Sequence, residues 1–264
     1  MASNFDFLSK DFPVLANFGQ LAEEYSHSDP NSCLMKLGMI GETIVNLMFT
    51  YDRIPLPEEN TAVKRIDTLY REGLLTQDLA EILHTLRKVR NKAVHENYSS
   101  EAAGVALLPM AYSLCEWFMQ TYGDWNYQHH EFVPPVPVQQ ARTTDKVAEK
   151  QKETRLSQEA EIKAAHTEAI SKDSRRKRVS QTASQRQRPE AETRFLIDQQ
   201  LRQVGWEADT ENLRFSKGTR PAKGRNIAIA EWTTDSTVGN YGRADYALFI
   251  GLQMVGIKIG RAHV

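Results

Sequence analysis

Apolar residues in the first half of the chain recur at the three- and four-residue spacing of amphipathic helices. After a turn at 29–31, one such stripe predicts a helix that runs to about residue 48. The same spacing predicts a helix near 62–72, a helix from Thr76 to about His95, and a helix over 101–122. The first stripe consists of Leu34, Leu37, Ile40, Ile44, Leu47 and Met48. Strand-like alternation is missing through Trp125, so the pattern predicts an all-helical bundle.

The pattern changes after Pro189. A helix over 190–204 is expected to stop at Gly205, because glycine readily adopts the left-handed conformation that ends helices. Beyond it the spacing shifts to that of strands, with Gly251 in the turn of a hairpin. The predicted strands are Asn226–Trp232, Ala244–Ile250 and a third from Met254 onward. A helical bundle followed by a helix and a small sheet predicts an α+β fold for the whole chain.

Residues 131–188 are predicted to connect the two parts. The segment 132–138, FVPPVPV, is proline-rich and marks the expected edge of the helical domain. Residues 146–188 contain 12 Lys or Arg and 6 Asp or Glu, a net charge of +6, and their few apolar residues predict a long, exposed helical connector. Its basic run at 175–178 could contact phosphates, although a solvated spacer is the favoured interpretation. The predicted domains are therefore 1–130, 131–188 and 189–258, with 259–264 as a suspected non-native tail.

The composition is typical of a globular protein. Of 264 residues, 41% are hydrophobic and 25% are charged, and 33 Lys and Arg residues nearly balance 34 Asp and Glu residues. These values argue against a fibre, a membrane span and a disulfide scaffold. The two cysteines, Cys33 and Cys115, lie in apolar helical surroundings and are expected to be reduced thiols. The N-terminus lacks the features of a secretory signal, so a cytoplasmic protein without membrane contact is expected.

Arg90 and His95 lie in the string RNKAVH near the end of a predicted buried helix. An imidazole that can transfer a proton beside a fixed guanidinium suits phosphodiester cleavage. Five helical steps place the two side chains about 140° apart, so they meet only if the helix ends there or a second protomer contributes. The arrangement resembles the HEPN superfamily of helical bundles, whose RNase members use the Arg and the His on RNA. The resemblance implies a homodimer through the helical domain, and either a catalytic Arg90–His95 pair or a structural or nucleic-acid-docking role.

A cationic loop precedes the predicted sheet. It carries Lys217, Arg220, Lys223 and Arg225 among two glycines and a proline. Flexible backbone with four cations can follow a phosphate chain, so the loop is a candidate DNA-binding segment. An ordinary polar loop is the alternative. Arg243, beside the second predicted strand, is a further candidate DNA-binding residue.

The run from Glu192 to Ile257 carries a specific resemblance. The strings ETRFLIDQQL, GWEADT, LRFSKGTRPAKGRNIAIAEW and GRADYALFIGLQMVGI are similar to the N-terminal nuclease domain of the restriction (R) subunit of type I restriction enzymes. The preceding helical domain is similar to a helical domain of unknown function that some of these subunits carry. The resemblance implies a PD-(D/E)xK core that cuts DNA with Mg²⁺. Asp245 matches the first metal ligand, Glu192 matches a helical catalytic acid, and Glu231 is a weaker helper.

The chain departs from the family pattern after the last predicted strand. The expected Glu-x-Lys is absent at 259–261, so the nuclease core is interpreted as truncated and inactive alone. The final string IGRAHV resembles the translation of a common sequencing adaptor, which places a junction near Lys258. The sequence contains no G-x-x-x-x-G-K-[ST] phosphate loop, so ATP would be bound by motor domains outside it.

Three functions stay open. The leading hypothesis is part of a type I R subunit, which acts with specificity and methyltransferase subunits and cleaves foreign DNA after ATP-driven translocation. The second is a HEPN-like RNase or RNA-binding module that uses Arg90 and His95. The third is a non-enzymatic protein that docks onto a partner or nucleic acid through the bundle and the basic connector.

Overall fold

A computed structural model of the chain describes residues 3–136, 146–186, 190–234 and 242–258. Its contacts divide the chain into two compact units, Met1–Pro189 and Glu190–Val264. The first unit is helical, and the second combines a helix with a small sheet. The α+β fold class is therefore confirmed. The suspected tail at 259–264 lies outside the described residues.

The first unit is built from helices whose starts are set by capping side chains. Asp29, Thr61, Ser100 and Ser171 each accept a hydrogen bond from a backbone amide in the first turn of the helix that follows. The described helices are α1 (Pro13–Ser28), α2 (Pro30–Tyr51), α3 (Ala62–Arg71), α4 (Gln77–His95), α5 (Glu101–Tyr122), α6 (Lys146–His166) and α7 (Lys172–Gln185). Helices α2 to α5 confirm the predicted bundle, whereas α1 is an additional helix.

Helices α2 and α5 form the centre of this unit. Both are long and apolar enough to cross a bilayer by length and composition, yet most of each is buried within the bundle. Around them pack α1 and α4, and α3 lies against α4 and α2. Rings from several helices meet in one aromatic cluster, which contains Phe12, Tyr51, Phe118 and Tyr122. Burial of these large side chains is the main source of stability for the bundle.

The segment 146–185 corrects one prediction. It forms two helices rather than one, and both pack on the bundle: α6 on α1 and α2, and α7 on α5. The expectation of a single long, exposed helix is therefore wrong. The physical reason is that the few apolar side chains of α6 recur at helical spacing and form one buried face. Its members are Leu156, Ala160 and Ala164.

Buried ion pairs hold these two helices in place. The Lys36 amine of α2 pairs with Glu149, at 2.5 Å, and with Glu153, both on α6. On α7, the Arg175 guanidinium contacts Asp52 at 2.8 Å and lies 3.9 Å from the centre of the Tyr122 ring. Because Arg175 is 5% exposed, it cannot serve the phosphate contact considered for the basic run at 175–178.

The second unit is a helix packed on a four-stranded sheet. Its elements are α8 (Glu190–Gln203), β1 (Glu207–Ala208), β2 (Asn226–Thr234), β3 (Gly242–Ile250) and β4 (Gln253–Lys258). The strands follow one another in the order β1-β2-β3-β4, with β1 parallel to β2 and the other pairs antiparallel. The predicted hairpin is confirmed, because Gly251 takes a φ of 61° in the turn between β3 and β4.

The two faces of the sheet bury different clusters. One cluster joins Ile197 of α8 to Ala230 and Tyr246 of the sheet. The opposite cluster centres on Ile229, Ala247 and Phe249. The period-2 alternation along β2 and β3 therefore explains how one strand pair supplies both layers.

The Lys36 ion pairs predict a large effect of one substitution. Lys36→Met is expected to lower the free energy of unfolding by about 3–5 kcal/mol, because two carboxylates stay buried without their cation. Urea unfolding of the purified variant, followed by circular dichroism, measures this loss. The matched control is Lys146→Met. The Lys146 side chain is 81% exposed, and its amine makes a single long contact of 3.9 Å with the Asp29 carboxylate, so its loss should cost little stability. Equal midpoints for the two variants would contradict the role given to Lys36.

Candidate functional site

Asp245 lies on β3, where its side chain is half-buried. In the strand register, Ala230 pairs with Tyr246 and Trp232 pairs with Ala244. Asp245 therefore stands opposite the position of Glu231, and the regular pairing skips both residues. This places the predicted metal ligand beside an irregularity in the centre of the sheet.

Glu231 causes that irregularity. Its φ of 53° is in the left-handed region, which is uncommon for a residue other than glycine and costs about 1–3 kcal/mol. The Glu231 carboxylate is held by two guanidinium groups, those of Arg194 on α8 and Arg214, each at 3.4 Å. These ion pairs offset the backbone cost. From the sequence, Glu231 is a weaker candidate for the catalytic site. In the structure its carboxylate lies between the Arg194 and Arg214 guanidinium groups.

A buried hydrogen-bonded cluster lies next to Asp245 along β3. Asp198 of α8 accepts a hydrogen bond from the Thr210 amide at 2.7 Å and one from the Tyr246 hydroxyl at 3.0 Å. The Thr210 and Tyr246 hydroxyls also contact each other. The cluster joins α8, the loop after β1 and β3, so it holds in place the strand that carries Asp245. Sequence reasoning missed it, although an aspartate one position after the buried Ile197 was the available signal.

Burial sets the protonation of this cluster. It raises the pKa of Asp198 above its ordinary value, even though hydrogen bonds from Thr210 and Tyr246 act in the opposite direction. Burial also raises the pKa of the Tyr246 hydroxyl. Tyr246 therefore stays neutral and donates to Asp198 at physiological pH.

The four loop cations differ in how available they are. Arg225 forms an ion pair with Glu207 on β1, which lowers the pKa of Glu207 and partly neutralises the arginine. Arg220 stacks on the Phe215 ring at 3.9 Å and donates to the Phe215 and Thr219 carbonyls. Lys217 and Lys223 are exposed and have no ion pair within the described chain. The two lysines are therefore the cations most available to a phosphate.

The described residues do not form a complete magnesium site. Among them, no group of three or more His, Cys, Asp or Glu side chains is placed to hold a metal ion. Asp245 supplies one carboxylate, and the carboxylate of Glu231 is engaged by two arginines. The side chains of Glu192 and Arg243 lie outside the described part of the chain. Because Mg²⁺ is often held by only one or two carboxylates and water, the expected Mg²⁺ site at Asp245 stays a prediction.

Arg90 and His95 are both on α4, and the structure does not bring them together. Arg90 is half-buried and pairs with Glu42 of α2 at 3.1 Å. His95 is the last residue of α4 and is exposed. No hydrogen bond joins these two side chains within the described chain. An RNase site made by one copy of this pair is therefore not supported.

Comparisons with known proteins give matches in both units of the chain. The model of a domain of unknown function, DUF4145, matches residues 20–159. The model for the second domain of the type I restriction enzyme EcoKI endonuclease subunit matches residues 207–261. The EcoKI endonuclease subunit of Escherichia coli (strain K12) is 29% identical to this chain over 309 aligned residues. No solved structure matches.

These matches cover parts of both units, and residues 207–261 are similar to a domain of a type I restriction subunit. The chain belongs to the DUF4145 family, because that model matches more than half of its length. The predicted resemblance to the type I restriction R subunit is confirmed by the second model and by the relative. The alignment covers 97% of this chain and 26% of the relative, so the chain spans about a quarter of the length of that protein.

The raised pKa of Asp198 predicts how pH affects the second unit. The folded state holds the Asp198 proton more tightly than the unfolded state, so stability falls as pH rises above the ordinary value of 3.8. Asp198→Asn removes this loss, and its stability relative to wild type is expected to increase with pH. Urea unfolding between about pH 4 and about pH 7, followed by NMR signals of β3 amides, measures the difference.

A second aspartate supplies a control of opposite sign. Burial would raise the pKa of Asp209, but hydrogen bonds from Asn212 and Glu211 outweigh it and the pKa is lowered. Asp209→Asn should therefore lose stability relative to wild type as pH rises to the ordinary value of 3.8, and its profile should level off above about pH 5. An Asp198→Asn profile that is equally flat above about pH 5 would show that burial does not control Asp198.

Proposed function

We propose that this chain is a DNA-engaging part of a type I restriction endonuclease subunit. The observation that carries the proposal is the relationship to such a subunit along nearly the whole chain. The second unit supports it with a hairpin that carries Asp245 and an exposed cationic loop before β2. In this proposal the intact protein acts with specificity and methyltransferase subunits, and motor domains elsewhere bind ATP.

The loop contributes electrostatic attraction to the DNA backbone. Lys217 and Lys223 extend into solvent, and each is followed by a glycine with positive φ, Gly218 and Gly224. Such turns present the side chains without cost to the backbone. Binding of a lysine to phosphate releases counterions from DNA, so the interaction weakens steeply with salt and does not depend on base sequence. Recognition of a particular DNA site is therefore assigned to another subunit.

Asp245 is the proposed cleavage carboxylate. Its strand is held by the Asp198–Tyr246 hydrogen bond and by the sheet pairing with β2. Asp245 is half-buried, and these contacts fix its backbone, as catalytic positions require. The described residues lack the other groups of a PD-(D/E)xK site, so no catalytic step is assigned to them.

The loop lysines give the direct test of DNA engagement. The double variant Lys217→Ala, Lys223→Ala is expected to bind duplex DNA more weakly and to reduce the slope of log affinity against log salt by about 2. Fluorescence anisotropy with duplexes of two unrelated sequences measures both quantities. Arg225→Ala is the matched control, because the Glu207 ion pair already neutralises this cation. A slope that is unchanged in the double variant would contradict the proposed contact.

Asp245 is tested in an intact subunit. Residues 190–258 of this chain, which include α8, replace the matching segment of the related endonuclease subunit, which supplies the remaining domains. Asp245→Asn in the chimera is expected to abolish DNA cleavage while leaving DNA binding and ATP hydrolysis unchanged. Glu211→Gln, at an exposed acid of the same segment, is the control and should retain cleavage. Retention of cleavage by Asp245→Asn would overturn its assignment.

A further inference from the structure

A cavity opens between α2, α3 and α4 in the helical unit, far along the sequence from Asp245. Its volume is about 290 Å³, close to the lower end of the range for small-molecule sites. Neither the DNA-binding loop nor the candidate cleavage residue lies on it. The cavity therefore needs an explanation of its own.

Cationic side chains from α3 and α4 line this cavity. Arg65, Arg87 and Arg90 contribute three positive charges, and Glu42 contributes one negative charge, which leaves a net charge of +2. The Nε atom of Arg87 is buried and has no hydrogen-bond partner in the described chain. Within the described chain, Arg87 forms no ion pair or hydrogen bond, so the terminal nitrogens of its guanidinium rather than the enclosed Nε are the donors available to an anion in the cavity.

Hydrogen bonds within the protein fix the orientation of the Arg65 guanidinium. Its Nε donates to the Asn60 side-chain oxygen at 2.7 Å, and its Nη1 donates to the Asn46 side-chain oxygen. These bonds hold the guanidinium in one orientation while other donors of Arg65 are left over. The entropic cost of ordering this side chain is therefore met before a ligand arrives.

The start of α3 adds backbone donors. Thr61 is the N-cap of α3, and Ala62 and Val63 of the first turn line the cavity. The Thr61 hydroxyl accepts from the Lys64 amide, whereas the first amides of a helix have no acceptor within the helix. The positive end of the α3 dipole therefore faces the same space as the arginines.

The close approach of α4 to α2 positions the third arginine. A Cβ atom added to Gly38 would lie 2.2 Å from the Cβ of Arg90, so only glycine permits this packing. Arg90 is thereby held against α2, where it pairs with Glu42. An anionic ligand would compete with Glu42 for Arg90.

We infer that this cavity binds the phosphate group of a nucleotide. The arginines and the α3 N-terminus supply the anion site, and the side-chain amides of Asn46, Asn60 and Asn91 on the cavity lining can hydrogen-bond a base or ribose. A free mononucleotide and the 5′-phosphate end of an oligonucleotide present the same chemistry. The experiment below distinguishes between these two possible ligands.

Isothermal titration calorimetry on the full chain tests the inference. AMP is expected to bind, while adenosine and inorganic phosphate bind at least about tenfold more weakly, because each lacks one part of the ligand. A short DNA strand with a 5′-phosphate is compared with the same strand carrying a 5′-hydroxyl, and a preference for the phosphorylated strand identifies the oligonucleotide end as a ligand. Equal affinities for AMP and adenosine would overturn the assignment, as would no AMP binding at millimolar concentration.

Variants that act in opposite directions separate binding from folding. Arg87→Ala is expected to weaken AMP binding at least about tenfold, because it removes a charge-assisted donor. Glu42→Gln is expected to strengthen it several-fold, since the competing carboxylate is lost. Lys88→Ala, at an exposed cation adjacent to Arg87, is the matched control and should bind as wild type. A variant set in which Glu42→Gln also weakens binding would contradict the site.

Discussion

The buried amine of Lys36 is the interaction on which the architecture of the helical unit depends. An ammonium group that is almost removed from water needs negative partners at contact distance, and α2 has none on that face. The two carboxylates come from α6, more than one hundred residues further along the chain. The requirement for charge neutralisation therefore recruits a polar, basic segment into a hydrophobic bundle. Without it, the small apolar face of α6 offers little burial of its own.

This dependence explains which parts of the fold could be predicted from the sequence. Helices α2, α4 and α5 can be predicted from long apolar stripes, because their stability comes from burial of those residues. Helix α6 buries mainly alanines and one leucine, and its attachment relies on Glu149 and Glu153. Hydrophobic periodicity contains no information about which distant cation two glutamates will meet. The segment therefore looked like a solvated connector.

The candidate site also has a part that the sequence predicts and a part that only the structure shows. Asp245 could be located in advance, because the strand around it has clear alternation and a recognisable string of residues. The environment of Asp245 could not be predicted from the sequence, because it depends on contacts between α8 and the sheet. Asp198 follows the apolar run 195–197 of α8, but only the packing of α8 on the sheet reveals that it meets Tyr246. In the same way, the loop cations look equivalent in sequence, and the structure separates the paired Arg225 from the exposed Lys217.

The left-handed backbone at Glu231 has a consequence for the sheet. Ordinary antiparallel strands can slide past each other by two residues with little change in their pattern of hydrogen bonds. Here the Glu231 carboxylate must reach both Arg194 on α8 and Arg214, so a slip of β2 would leave that charge without its arginines. The Tyr246 hydroxyl of β3 also bonds to Asp198 of α8. Both strands are therefore fixed to the same helix, which gives Asp245 a single position.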